Sequence, residues 1–184
     1  MKTEKEKMIS GEMYDASDRE LVLEREAGKR FCRLYNSTDD TKYEERKELL
    51  KGFLGKMGEN IHIESEFRAE YGYNLEIDEN FYSNYNCLIL DVCPVKIGKN
   101  VKFGPGVHIY TATHPIDVAE RNSGKEFGKP VTIGDNVWIG GRSVIVPGVT
   151  LGNNVVVGSG SVVTKNFGDN VVIAGNPAKI IKNL

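Results

Sequence analysis

Between Val131 and Asn166 the apolar positions recur every six residues: VTIGDN, VWIGGR, SVIVPG, VTLGNN, VVVGSG, SVVTKN. The third position of each block is aliphatic: Ile133, Ile139, Ile145, Leu151, Val157 and Val163. Position one is Val or Ser, and position four is Gly in four of the six blocks. A helix turns every ~3.6 residues, so a period of six would scatter these aliphatics around its cylinder. Short β-strands accommodate the period, because alternate side chains share a strand face and positions one and three then point the same way. Gly at position four supplies the backbone freedom of a corner, and the next block starts a strand in a new direction. Repetition of this kind marks a solenoid. Three blocks make one triangular coil of 18 residues, and stacked coils form parallel sheets.

The same phase reaches back to Ile61. Ile63 and Ala69 fit it; a slip of two residues leads to Ile77, Ser83 and Ile89, and another to Ile97, Phe103 and Ile109. Slips of two keep the in–out alternation, so each bulges a corner without inverting a face. Five to six coils stacked at ~4.8 Å predict a prism roughly 25 Å long, filled by Val and Ile. Residues 113–130, THPIDVAERNSGKEFGKP, interrupt the pattern. Continued phase would turn Pro115, Arg121 and Phe127 inward, and an Arg does not fit a narrow apolar prism. A segment therefore leaves the coil here, and irregular loops longer than about 12–15 residues are often functional. After Asn166 the regularity fades into AGNPAKIIKNL, with Asn-Pro as a turn signal.

Residues 1–58 follow a helical pattern, which divides the chain into an N-terminal helical segment and a β-helix domain over 59–184. Ser17-Asp18-Arg19-Glu20 and Thr41-Lys42-Tyr43-Glu44 read as capping boxes. Leu23, Ala27, Phe31 and Leu34 form one apolar stripe, and Tyr43, Leu50, Leu54 and Met57 another. Two antiparallel helices are expected. They either cap the open end of the solenoid, as repeat proteins require, or lend Tyr14 and Asp15 to an acceptor site.

Composition narrows the class. The chain has 184 residues, 40% of them hydrophobic, enough for one domain with a core. A net charge of −2 offers no basic field for nucleic acid. Cys32, Cys87 and Cys93 match neither a disulfide framework nor a metal motif. MKTEKEKMIS has no apolar leader core, and no apolar run approaches a membrane span. A cytoplasmic protein with reduced thiols is expected, with no membrane and no nucleic-acid partner.

Three candidate groups stand out. His114 opens the excursion, and Pro115 holds it on extended backbone; it is placed as an acid–base group would be, or is a surface His in a turn. Asn84 sits at a corner, either tolerating a left-handed backbone or serving a site. Cys87 occupies an inward position, which argues against an acyl-cysteine mechanism. Outward side chains on successive faces of a triangular coil diverge by roughly 120°. His108 and His114 should therefore share no metal within one subunit, and no metal is expected.

YTATHPID, ERNSG at 120–124, YGYN at 71–74, LDVCP at 90–94, GKPVTIG at 128–134, VWIGG at 137–141 and AGNPAKII at 174–181 resemble the hexapeptide-repeat sugar O-acetyltransferases. That family includes the maltose, galactoside and nodulation-factor acetyltransferases, and the maltose enzymes match best, down to the opening EKEKMISGEMY. The resemblance covers essentially the whole chain. It implies a left-handed parallel β-helix, a homotrimer, and acetyl-CoA in a groove between neighbouring β-helices. By matching motif it implies His114 as general base and Asn84 as the residue holding acceptor and transition state. It also implies Gly141 as a backbone donor to the thioester carbonyl, and Ser159, Thr164, Lys165, Lys179 and Lys182 as coenzyme contacts. Galactoside enzymes carry Arg at the last two positions, so a bidentate phosphate contact is not expected from these lysines. Outward Trp138 suits an interface or the coenzyme. Asp15, Glu70 and Asp91 are the implied acceptor contacts, although Glu70 stands where galactoside enzymes have Ser. The expected function is acetyl transfer from acetyl-CoA to a hydroxyl of maltose, glucose or a related sugar. The alternatives are a galactoside or another hydroxylated acceptor, and a non-catalytic β-helix scaffold.

Overall fold

A computed structural model describes all 184 residues. The chain winds into a left-handed parallel β-helix of about six turns. Face 1 stacks Lys56–Met57, Leu75–Ile77, Val95–Ile97, Val131–Ile133 and Thr150–Leu151. Face 2 stacks His62–Ile63, Tyr82–Ser83, Lys102–Phe103, Trp138–Ile139, Val155–Val157 and Val171–Gly175, with Ala178–Asn183 folded back antiparallel on the last. Face 3 stacks Arg68–Ala69, Leu88–Leu90, His108–Tyr110, Val144–Ile145 and Val162–Val163. The phase read from the sequence holds through both slips. Ile63, Ala69, Ile77, Ser83, Ile89, Ile97, Phe103 and Ile109 are all buried, as are Ile133 to Val163 at the same position. The solenoid starts earlier than Ile61, at Lys56, so Met57 pairs with Ile77 in face 1 and belongs to no helix stripe.

One edge is ordered by a device the sequence reading passed over. Asn60, Asn80, Asn100, Asn136, Asn154 and Asn170 take left-handed backbone at the turn from face 1 to face 2. Their amides bond from coil to coil, Asn60 to Asn80, Asn80 to Asn100 and Asn100 to Asn136 at 3.0 Å each, and Asn154 to Asn170 at 2.8 Å. Asn tolerates φ > 0 and carries both donor and acceptor, so one residue type serves the corner and the ladder.

The N-terminal segment holds three helices rather than two: α1 (Glu4–Ser10), α2 (Arg19–Ser37) and α3 (Tyr43–Lys51). The capping box is at α1, where Thr3 and Glu6 satisfy each other's backbone N–H. The two boxes expected downstream do not form. Asp18 caps α2 alone while Ser17 bonds Asp15, and α3 has no side-chain cap because Thr41 turns to Asp39. The stripes are rotated as well. Leu21, Gly28, Cys32 and Tyr35 face inward, whereas Leu23 and Leu34 are exposed. The reason is close approach: a Cβ on Gly28 would lie 1.9 Å from the Glu70 carbonyl oxygen. On α3, Arg46 and Leu50 are buried and Tyr43 is exposed.

These helices cap the first coil by bonding its free edge. Tyr35 donates to the Ile63 carbonyl at 2.7 Å, Asn36 bonds both the N–H and C=O of Phe67, and Arg46 donates to Ile63 at 2.9 Å. An unpaired strand edge is a template for aggregation, and these bonds occupy the first coil's edge at Ile63 and Phe67. No helix of the chain is long and apolar enough to cross a membrane.

Candidate active site

The excursion leaves face 3 after Tyr110. Ala112–Thr113 and Lys125–Gly128 form an antiparallel pair, and α4 (Val118–Asn122), capped by Asp117, closes its tip. Tyr14–Asp15 adds a third strand from the N-terminal arm. The arm therefore reaches the excursion besides capping the solenoid. His114 follows Thr113 at the outer end of its strand, beside the edge where face 3 turns to face 1. Its imidazole is 57% exposed, and its Nε2 is 3.6 Å from Glu126 Oε2. A cavity of about 650 Å³ opens beside it, with Met13, Ile116, Phe127 and Lys129 in its wall. Thr164 and Lys165 stand exposed on the same edge, farther along the prism.

Asn84 lies across face 3, on the edge where face 2 turns to face 3. It keeps negative φ, unlike Asn86 two residues on, so a left-handed corner does not explain it. Its side-chain oxygen accepts from Tyr85 N–H at 2.8 Å. Coil by coil, this corner position is taken by Tyr85, Pro105, Gly141 and Ser159. The Tyr85 N–H is occupied and Pro105 has none. The flanking amides of Gly140, Arg142, Gly158 and Gly160 all bond within the chain, whereas those of Gly141 and Ser159 have no partner. Two neighbouring coils thus present free N–H donors in a row. Gly141 has to be glycine: an added Cβ would lie 2.9 Å from the Pro105 carbonyl oxygen, and Gly104 packs against its amide. Ala174 packs at Gly158 on this edge, and the terminal hairpin sets Lys179 opposite Ala174 and Lys182 opposite Val172. Trp138 points outward from face 2, 55% exposed.

The expected site residues therefore fall on two edges of one prism. Asn84, Gly141 and Ser159, with Lys179 and Lys182 at their end, line one; His114, Thr164 and Lys165 line the other. About six residues at ~3.3 Å separate the edges, roughly 15–20 Å.

The acceptor contacts divide differently. Glu70 is half-buried, and burial, then the charge of Asp91, raises its carboxyl above the ordinary range. Arg25, Tyr71 and Glu126 lie in the same electrostatic neighbourhood. Asp91 corrects an expectation. It is wholly buried, and its carboxylate accepts N–H bonds from Glu70, Tyr71 and Gly72 at 2.7–3.0 Å. It shapes the turn that carries Glu70 and has no face left for a sugar. The Asp15 carboxylate is turned to Ser17, whose N–H and hydroxyl lower its pKa. Cys87 is buried, which raises its thiol, as its inward position implied. Glu126 was missed by the sequence reading. Its signal was present in ERNSGKEFG, a carboxylate twelve residues beyond His114, but the spacing alone does not show that the excursion folds back.

Comparison with known proteins gives consistent matches. The family described as maltose acetyltransferase hexapeptide capping motif matches residues 7–58, and the hexapeptide repeat of succinyl-transferase matches 130–165. A putative acetyltransferase of Dictyostelium discoideum is 56% identical, over 99% of this chain and 95% of its own. The crystal structure of a maltose O-acetyltransferase from Clostridium difficile 630 is 53% identical with a TM-score of 0.98, covering 100% of this chain and 98% of that one. A hexapeptide-repeat acetyltransferase from Vibrio cholerae, complexed with acetyl coenzyme A, is 34% identical with a TM-score of 0.91, covering 100% and 99%.

Proposed function

The chain belongs to the maltose acetyltransferase family of hexapeptide-repeat enzymes and is an acetyl-CoA-dependent acetyltransferase, and on that premise we propose that it acetylates a hydroxyl of maltose, glucose or a related glucosyl sugar. The observation that carries the reading is the division of the site between two edges that flank face 3. A cyclic trimer with its face 3 strands turned inward sets the His114 edge of each subunit beside the Asn84–Gly141–Ser159 edge of the next. Three composite clefts result, each with a base on one wall and free N–H donors on the other. The outward side chains of face 3 support this packing, since Leu88, Leu90, Tyr110, Val144 and Val162 make it mostly apolar, with His108 among them and Arg68 at its first coil.

In each cleft the thioester of acetyl-CoA lies along the donor edge, with the coenzyme phosphates toward Lys165, Lys179 and Lys182. His114 takes the proton of the acceptor hydroxyl as its oxygen attacks the thioester carbonyl. A C–O bond forms, and the Gly141 N–H stabilises the charge that builds on the carbonyl oxygen. The C–S bond then breaks, and the proton passes from His114 to the departing CoA thiolate. Asn84 holds the acceptor, and Glu70 lines its pocket. The transfer is direct, because Cys87 is buried inside the prism and offers no acyl acceptor. The glucosyl preference rests on the closer motif match to maltose enzymes and on Glu70, where galactoside enzymes carry Ser.

The test is release of free thiol from acetyl-CoA across a panel of sugars. Glucose or maltose should give the highest kcat/KM, with intersecting initial-rate patterns. A galactoside preferred over every glucosyl sugar, or ping-pong kinetics, would overturn the acceptor or the mechanism respectively.

A further inference from the structure

Behind His114 lies a carboxylate that the transfer step above does not use. Glu126 sits on the inner strand of the excursion, its side chain 18% exposed, with Oε2 3.6 Å from His114 Nε2. Its Oε1 accepts the hydroxyl of Tyr14. Tyr14 comes from the N-terminal arm, is 1% exposed, and stands directly across the antiparallel pair from Glu126. Burial, then the bond to Glu126, raises the Tyr14 phenol far above its ordinary pKa, so it stays a donor. No Lys or Arg lies within ion-pair distance of Glu126; the imidazole is the one basic group that does.

The Tyr14–Glu126 bond is not needed to fasten the arm. Backbone pairing already joins Tyr14 to Glu126 and Asp15 to Lys125, and the Tyr14 ring packs among Met8, Leu21, Tyr71 and Val92. What the bond does is leave the carboxylate one fixed direction. An ionised carboxylate only accepts hydrogen bonds. A neutral imidazole facing it keeps its proton on the nitrogen turned toward it, and the opposite nitrogen is left to take a proton from an acceptor.

We propose that Glu126 is the positioning residue of His114, orienting the imidazole and balancing the charge it gains during transfer, with Tyr14 fixing Glu126 from the N-terminal arm. The proposal rests on His114 as the base. It makes the arm part of the catalytic apparatus as well as of the cap.

The test uses the full-length protein with acetyl-CoA and maltose. Glu126→Gln keeps the shape and removes the charge. It should lower kcat roughly 10–100-fold, less than the ~10⁴-fold seen for a deeply buried triad carboxylate, because Glu126 is partly exposed. KM for acetyl-CoA should stay unchanged. Tyr14→Phe should lower kcat about 2–10-fold, as one hydrogen bond to a charged group is lost. In a His114→Ala background, Glu126→Gln should slow the enzyme no further. Glu126→Gln within twofold of the wild type, or a further loss on top of His114→Ala, overturns the proposal. His114→Ala with near-normal turnover is a different failure, that of the base itself, and it removes this proposal with it. Should Glu126→Gln not assemble, Tyr14→Phe decides: a fall in kcat at constant KM supports the proposal, and an unchanged kcat sinks it.

Discussion

Faces 1 and 3 are built on one repeat and are alike from inside. Ile97, Ile133 and Leu151 fill the prism from face 1 as Ile89, Ile109 and Ile145 fill it from face 3. Their outer surfaces differ. Face 1 shows Lys56, Glu76, Lys96, Thr132 and Thr150, with Lys96 paired to Glu76 at 3.7 Å and Lys56 to Asp78 at 3.6 Å. Such exposed pairs contribute little and are costly to strip of water. Face 3 shows Leu88, Leu90, Tyr110, Val144 and Val162, whose removal from water is favourable at ~25 cal/mol per Å², and only Arg68 and His108 interrupt them. A strand that must fill a prism on one side is free to encode a partner on the other. The two edges that carry the site are the two that bound the apolar face, and only one of them is shared with the charged face.

The largest expected effect lies at the edge of face 3. His114→Ala should lower kcat ~10²–10⁴-fold, with coenzyme binding and assembly intact. His108→Ala, on face 3 away from that edge, is its control and should matter much less; equal losses would detach the chemistry from the edge.

Next comes a direct contrast of the faces. Val144→Asp should dissociate the proposed trimer and lower activity about 100-fold, since a carboxylate in an apolar interface costs several kcal/mol and the proposed clefts come apart. Thr132→Asp on face 1 should leave both within about twofold, as surface changes usually do. Light scattering and thiol release read the two quantities. A monomeric wild type at micromolar concentration would end the comparison.

From inside, the faces should be indistinguishable. Ile145→Ala and Ile133→Ala should each cost ~2–5 kcal/mol of stability by urea denaturation, because both empty a closed prism. A cost on one face alone would mean that the prism packs unevenly.

The smallest effect concerns the charges at the far ends of the edges. KM for acetyl-CoA should rise a few-fold as salt shortens the Debye length from ~10 Å at 0.1 M toward ~3 Å at 1 M. A salt-independent KM would remove Lys165, Lys179 and Lys182 from the phosphate site.

Much of this molecule was legible in order along the chain. The inward positions, the buried Cys87, the outward Trp138 and the excursion after Tyr110 follow from a period of six and its interruption, which are properties of neighbouring residues. The same locality explains the errors. Leu23 and Leu34 fit a helical stripe, but α2 turns its small residues inward because Gly28 must pass the Glu70 carbonyl, a contact 42 positions away in sequence. Asp91 matched a family pattern, yet three amides of the preceding coil claim its carboxylate. Periodicity determined which side chains enter the prism, because alternation along a strand needs no partner to be defined. Only the tertiary structure decided which outward groups meet. Stacking brings the free amides of Gly141 and Ser159 into one row, and the folded excursion brings Glu126 to His114 and, across 112 positions of chain, to Tyr14.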